Sequence, residues 1–193
     1  MKNISLAIEL HKKILESFGP ELLNDIDLAS KILLKNQQNN SKIFWIGNGG
    51  SASQANHLSA ELTGGMYAKK INPFASICLN TDTSFITAWS NDDDYKNIFR
   101  RQLMALGNEN DTLVSLSTSG NSENIVRAAE YASKKNISVI SLTGESTGDV
   151  DKYADISIKV PSNDTQRIQE MHILIGHILC DHIEKNFVNP VAN

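Results

Sequence analysis

Hydrophobic positions change their spacing near residue 42. Before it, Ile4, Ile8, Leu15 and Phe18 recur at helical intervals until Gly19-Pro20. Leu22, Leu23, Ile26, Leu28, Ile32 and Leu33 then mark a second helix, ending near residues 36–40. After residue 42, short unbroken apolar runs alternate with longer amphipathic stretches. Runs at 43–46, 74–79, 112–116, 138–142 and 156–160 read as strands, because they carry no polar alternation. Stretches at 51–64, 83–90, 95–106, 122–134 and about 165–187 read as helices, the first stopped by Gly64-Gly65. Strands apolar on both sides, each followed by a helix, predict a parallel sheet covered on both faces. The expected architecture is a three-layer α/β sandwich with five parallel strands, in one domain spanning residues 1–193. Two helices before the first strand cannot by themselves cover such a sheet, so this hairpin, residues 1–40, is expected in a subunit interface.

Composition narrows the class. The chain has 193 residues, 40% hydrophobic and 21% charged, which is ordinary for a soluble globular protein. Its net charge of −4, without a basic run, gives no electrostatic case for nucleic acid or an anionic membrane. Cys78 and Cys180 each sit in an apolar run and read as buried free thiols of a reducing compartment. The N-terminus is interrupted by Glu9, His11 and Lys12 and reads as neither signal peptide nor membrane span, so a cytoplasmic location is expected.

Candidate chemistry begins where the first strand meets Gly47-Asn48-Gly49-Gly50-Ser51 and opens a helix. A strand, a glycine turn and a helix N-terminus place backbone N–H groups at an anion. Gly47-x-Gly49-x-x-Ala52 formally matches the dinucleotide fingerprint, which expects an acid closing the second strand. Here that strand ends in Cys78-Leu79-Asn80, and the first acid, Asp82, lies 30 residues past Ala52. The match is therefore weak. A Walker loop is excluded, since no lysine follows the glycines. The third strand ends in Ser117-Thr118-Ser119-Gly120-Asn121-Ser122, again before a helix. One of these hydroxyls, Ser122, would serve as a cap, but four in six residues exceed what capping requires. Loops at the carboxyl ends of parallel strands line one crevice, so both loops are expected to face the same opening.

His57 and Glu61 lie four residues apart on one face of the first βα helix. Alone they are more often an exposed helical pair than a site; their place one turn beyond an anion loop reverses that reading. Asp92-Asp93-Asp94 reads as a polar turn before the 95–106 helix, and Trp45 and Trp89 as core residues. On the last helix His172, His177 and His182 are five apart, a rotation of about 140° per step, so they cannot share a face.

The two loops and their spacing resemble the sugar isomerase (SIS) domain family. The resemblance extends over Gly47-Asn48-Gly49-Gly50-Ser51, His57 to Gly64, Asn91-Asp92, residues 117–122, Arg167 to His172, and His177. It implies a flavodoxin-like SIS fold and the isomerisation of the ketose sedoheptulose 7-phosphate to its aldose, feeding heptose into lipopolysaccharide or capsule. It assigns Ser117, Thr118, Ser119 and Ser122 to the phosphate, and Asn48, Gly49, Gly50, Ser51, Asn91 and Asp92 to the sugar chain. It makes His57, Glu61, Gln169 and His177 zinc ligands, Glu61 and His177 the acid–base pair, and the protein a homotetramer. The family carries Asp three residues before the motif glutamine, where this chain has Gln166, so one substrate contact differs.

Such a reaction moves a proton between C1 and C2 through an enediolate and needs a carboxylate base and a second group acting on oxygen. His172 and His182 are then packing or surface residues. Gln169 and His177 are eight residues apart, about 12 Å along the helix and about 80° beyond two turns. The site is therefore expected to draw on more than one subunit, or to use these two ligands one at a time. The apolar residues of the last helix exceed one stripe, in keeping with burial on several sides. A non-catalytic relative binding the replication initiator protein is the alternative, and a sugar-phosphate-sensing module of a regulator a third. The first has no need of Glu61 or His177, and the second usually carries a basic helix-turn-helix that this sequence lacks.

Overall fold

The computed structural model describes residues 2–67 and 73–186. The expected end of the last helix, residue 187, lies outside them. Chain order is α1 (Lys2–Glu16), α2 (Pro20–Gln38), β1 (Ile43–Gly47), α3 (Gly50–Gly64), β2 (Ser76–Cys78) and α4 (Thr83–Asp92). Then come α5 (Ile98–Leu106), β3 (Thr112–Leu116), α6 (Glu123–Lys134), β4 (Ser138–Thr143), β5 (Ile156–Lys159) and α7 (Thr165–Asn186). Single 3-10 turns at Tyr95–Asn97 and Asp149–Lys152 precede α5 and β5.

The five strands form one parallel sheet in the order β2-β1-β3-β4-β5. The order reverses between β1 and β3, the point at which open parallel sheets place a ligand crevice at the carboxyl ends of the strands. Strand residues alternate between two cores. Ile43, Trp45, Val114, Leu116, Ile140 and Leu142 point to α2, α3 and α7, whereas Phe44, Ile46, Leu113 and Val139 point to α5 and α6. With both faces buried, neither has reason to be polar, which is why the strands read as continuous apolar runs.

Two expectations need correction. β2 is only three residues long, not 74–79. As an edge strand it pairs with β1 alone, over Ser76 to Cys78, while Phe74 is buried off the ladder. The N-terminal hairpin is also not wholly set apart from the sheet. Leu22, Ile26, Ala29 and Leu33 of α2 are buried in the core beside α7 and β5, because α3 and α7 leave that edge of the face bare. Among its described residues α1 reaches this core only through Ile14, near its end, with Ile4, Leu6, Ile8 and Leu15 exposed. Trp45 is fully buried and Trp89 packs at the margin of the second core. Cys78 and Cys180 are buried free thiols. Among the described residues no helix is long and apolar enough to cross a membrane.

Candidate active site

The crevice at the β1/β3 switch has a glycine floor. Gly49 stands at φ 56°, ψ −124°, a backbone region open to glycine, and caps α3 so that the helix starts within two residues of the strand. Asn80 stands where a dinucleotide site would carry its acid, and instead clamps this turn. Its Nδ2 donates to Gly47 O at 2.8 Å, and Gly47 N donates to its Oδ1 at 3.2 Å.

The second loop leans on the first. Asn48 and Asn124 exchange amide hydrogen bonds, each 2.9 Å, and Tyr95 Oη donates to Asn48 Oδ1 at 2.9 Å. The two loops therefore do face one opening. Within 117–122 the hydroxyls divide their work. Ser117 Oγ accepts from Gly120 N and Ser119 Oγ from Asn121 N, each at 3.2 Å, so these two shape the loop. Thr118 is half-buried. Ser122 occupies the N-cap of α6, yet its side chain makes no capping bond. Asn124 Oδ1 takes the Ile125 N–H instead, which leaves the Ser122 hydroxyl for another use. The N-terminus of α6 adds a positive dipole end there.

His57 and Glu61 project from α3 toward His177 of α7. His57 Nε2 is 2.8 Å from His177 Nε2 and 3.4 Å from Glu61 Oε1, and the two rings meet edge to face. One ligand atom from each of the three residues falls within 4.8 Å of the others, a grouping that could hold a metal ion. Two facing imidazole nitrogens and a carboxylate suit a divalent transition ion, and ring nitrogens aimed at each other are better placed around a cation than against one another. His57 remains 49% exposed and Glu61 25%, so the group is open to solvent and ligand.

These three residues meet within one chain. Gln169 does not extend to them in parallel; its Nε2 donates to Ser51 Oγ at 3.3 Å, and its amide lies over Gly50. Its backbone carbonyl takes Gln54 Nε2 at 2.6 Å, tying α7 to the first turns of α3. Gln169 and His177 thus point to different partners, as their spacing along the helix suggests. Asn91 and Asp92 are exposed and bonded to each other, at the end of α4. The acidic run is a turn: Asp93 accepts from Asn97, and Asp94 caps the 3-10 turn and pairs with Lys96. Gln166 is exposed, its N–H donated to Asp164.

Of the other histidines, His182 is half-buried and His172 fully buried, with Nε2 at 3.1 Å from Thr143 O. Burial pushes the His172 imidazole down to about 4. Burial, with the Glu61 and Glu184 carboxylates nearby, pushes the Cys180 thiol up to about 12 and keeps it inert. Sequence reasoning did not single out Asn124, Tyr95, Asn80 or Gln54. Asn80 could have been found at the position the fingerprint reserves for an acid, and Asn124 in the first turn after the hydroxyl loop. Nothing in the sequence marks Tyr95 or Gln54.

The chain is similar to known proteins over nearly its whole length. The SIS domain family model matches residues 8–144. The phosphoheptose isomerase of Helicobacter pylori (strain Shi470) is 45% identical over 179 residues, 93% of each chain. A phosphoheptose isomerase from Francisella tularensis superposes with a TM-score of 0.91 at 35% identity, covering 95% of this chain and 97% of the other. That of Neisseria gonorrhoeae gives 0.89 at 35% identity, covering 95% and 98%.

Proposed function

This chain belongs to the SIS domain family, and from that membership and the geometry of its crevice we propose that it is a sugar-phosphate isomerase converting sedoheptulose 7-phosphate to D-glycero-D-manno-heptose 7-phosphate. The observation that carries the reading is the meeting of His57, Glu61 and His177 beside two joined anion loops.

The phosphate sits on the 117–122 loop, with Thr118 and Ser122 offering hydroxyls, Ser117 and Ser119 holding the loop in shape, and the α6 N-terminus adding its dipole. Asn48, Gly49, Gly50, Ser51 and Gln169 line the sugar chain, with Asn91 and Asp92 at its margin. Glu61 takes a proton from C1 of the ketose. The C1–C2 enediolate forms, and the same carboxylate returns the proton to C2. His177 moves the second proton between the oxygens, leaving an aldehyde at C1 and a hydroxyl at C2. Atoms and charge balance without a redox cofactor.

His57, Glu61 and His177 would hold a zinc ion; Gln169, which the family resemblance implies as a fourth ligand, lies on Ser51 Oγ instead. A zinc ion held there would supply Lewis-acid polarisation of the substrate carbonyl. The enzyme works in the cytoplasm as a homo-oligomer, a tetramer by that resemblance, with α1 in the interface. Its exposed Ile4, Leu6, Ile8 and Leu15 support this assignment. The product supplies heptose for lipopolysaccharide or capsule. A protein that only bound the replication initiator would have no use for the His57, Glu61 and His177 group, and no observation favours that role.

The test is isomerisation of sedoheptulose 7-phosphate by chelator-stripped protein resupplied with zinc, beside Glu61→Gln. Turnover restored by zinc and abolished by the substitution is expected. Turnover indifferent to metal removes zinc from the reading, and none in folded, zinc-loaded protein overturns it.

A further inference from the structure

Glu61 lies in the last turn of α3, and the chain leaving that turn is gripped by a residue of α7. The Glu61 carbonyl accepts the Gly65 N–H at 2.9 Å, which closes the helix. The next two N–H groups, of Met66 and Tyr67, donate to the Glu184 carboxylate at 2.6 and 2.9 Å. Glu184 is 6% exposed. A carboxylate withdrawn this far from water requires donors, and two of them come from the segment that caps the turn of Glu61.

Glu184 also stands seven residues beyond His177, two turns along α7, so both face α3. Between them the helices nearly touch. A Cβ on Gly176 would lie 2.3 Å from Leu58 Cδ1, and Cys180 Sγ lies 3.8 Å from Leu58 O. Leu58 is the neighbour of His57. The helix that brings His177 to the cluster thus also fixes both sides of the α3 segment bearing His57 and Glu61.

We propose that Glu184 is a positioning residue for the isomerisation: by holding the N–H groups of Met66 and Tyr67 it locks the last turn of α3 against α7 and so sets the Glu61 carboxylate against His57 and His177. The role rests on the function proposed above. Displacing a catalytic group by about 1 Å costs on the order of 100-fold in rate, so a clamp at this turn acts on chemistry more than on substrate affinity.

The test is Glu184→Gln, an isostere that offers one acceptor oxygen and turns an amide N–H toward the other backbone donor. Three quantities are read: the zinc dissociation constant of chelator-stripped protein by competition with a chromophoric chelator, kcat with KM, and the thermal midpoint. Zinc affinity and kcat are each expected to fall about tenfold or more, with KM changing less than about threefold, because the phosphate is assigned to the 117–122 loop, outside α3 and α7. Leu103→Ala, in the opposite core, serves as the control that loses stability without changing zinc affinity. Zinc affinity and kcat within twofold of the parent, with only the thermal midpoint lowered, would overturn the proposal. Should Glu184→Gln not fold, Glu184→Asp, which keeps both acceptors but shortens the reach, is judged by the same criteria. If the parent does not isomerise the substrate, the functional reading falls, whereas the zinc titrations still decide whether Glu184 places the cluster.

Discussion

Asn48 and Asn124 lie 76 residues apart and hold each other by two amide hydrogen bonds of 2.9 Å, so the glycine loop and the hydroxyl loop move as one wall. Asn124 is buried and also takes the Ile125 N–H, so it joins the start of α6 to the turn that starts α3. Asn124→Ala removes all three bonds. The expected result is a KM for the sugar phosphate raised about tenfold, with kcat changed less than about threefold, since Glu61 and His177 stay in place. A loss of about 1–3 kcal/mol in stability should accompany it. Steady-state kinetics with urea unfolding would check both, and a fall in kcat at constant KM would remove Asn124 from the binding wall.

Gln169 gives a sharper separation of stability from activity. Its amide occupies the space above Gly50, where a Cβ would lie 2.8 Å from Nε2 and 3.0 Å from Oε1. Gly50→Ala meets only the end of a flexible side chain, and alanine suits a helix better than glycine. The fold should therefore keep its thermal midpoint or gain slightly. The Gln169 amide must leave Ser51 Oγ, and kcat/KM is expected to fall about tenfold or more. Unchanged kinetics would mean that Gln169 has no part in the site.

Helix α1 meets the body of the protein through Ile14, packed on the core, and through polar contacts to α7: Arg167 donates to Ala7 O at 2.7 Å, and His11 Nδ1 lies 2.7 Å from Glu170 Oε2. Its Ile4 and Ile8 stay 66% and 52% exposed, one turn apart on one face. If that face meets another copy, Ile4→Glu with Ile8→Glu should lower the sedimenting mass while leaving helical content unchanged by circular dichroism. A pair of substitutions that leaves the mass unchanged would place the interface elsewhere.

Much of the sheet was legible in the sequence because burial on both faces removes polar residues from every strand, as in 112–116 and 138–142. The coverage by α2 was not, since its Leu22, Ile26, Ala29 and Leu33 carry the same period whether they face a sheet or another chain. The glycine and hydroxyl loops could be read as candidate anion sites because binding an anion at a helix N-terminus calls for those residue types next to a strand. The pairing of His57 with His177 across 120 residues could not. His172, His177 and His182 look alike along the helix, and only packing separates the one that meets His57 from the one sealed against Thr143. That pairing came through the family resemblance alone.

The sealed histidine makes stability depend on pH. His172 Nε2–H donates to the Thr143 carbonyl, and Nδ1 is buried with no partner among the described residues, which offer no acceptor for a proton added there. Its folded value is about 4 against an ordinary 6.5. As pH falls through 6.5 the unfolded chain takes up a proton that the folded one refuses, so stability drops with falling pH. The loss levels off below about 4, where both states are protonated; above 6.5 neither is, and the contribution is complete. A gap of that size corresponds to about 3 kcal/mol lost between pH 7 and pH 4. His172→Gln keeps a donor for Thr143 without a titrating group. Urea unfolding at fixed protein concentration should give a steeper fall for the parent than for the variant between pH 6.5 and 4.5. Parallel curves would mean that the buried imidazole does not govern acid stability.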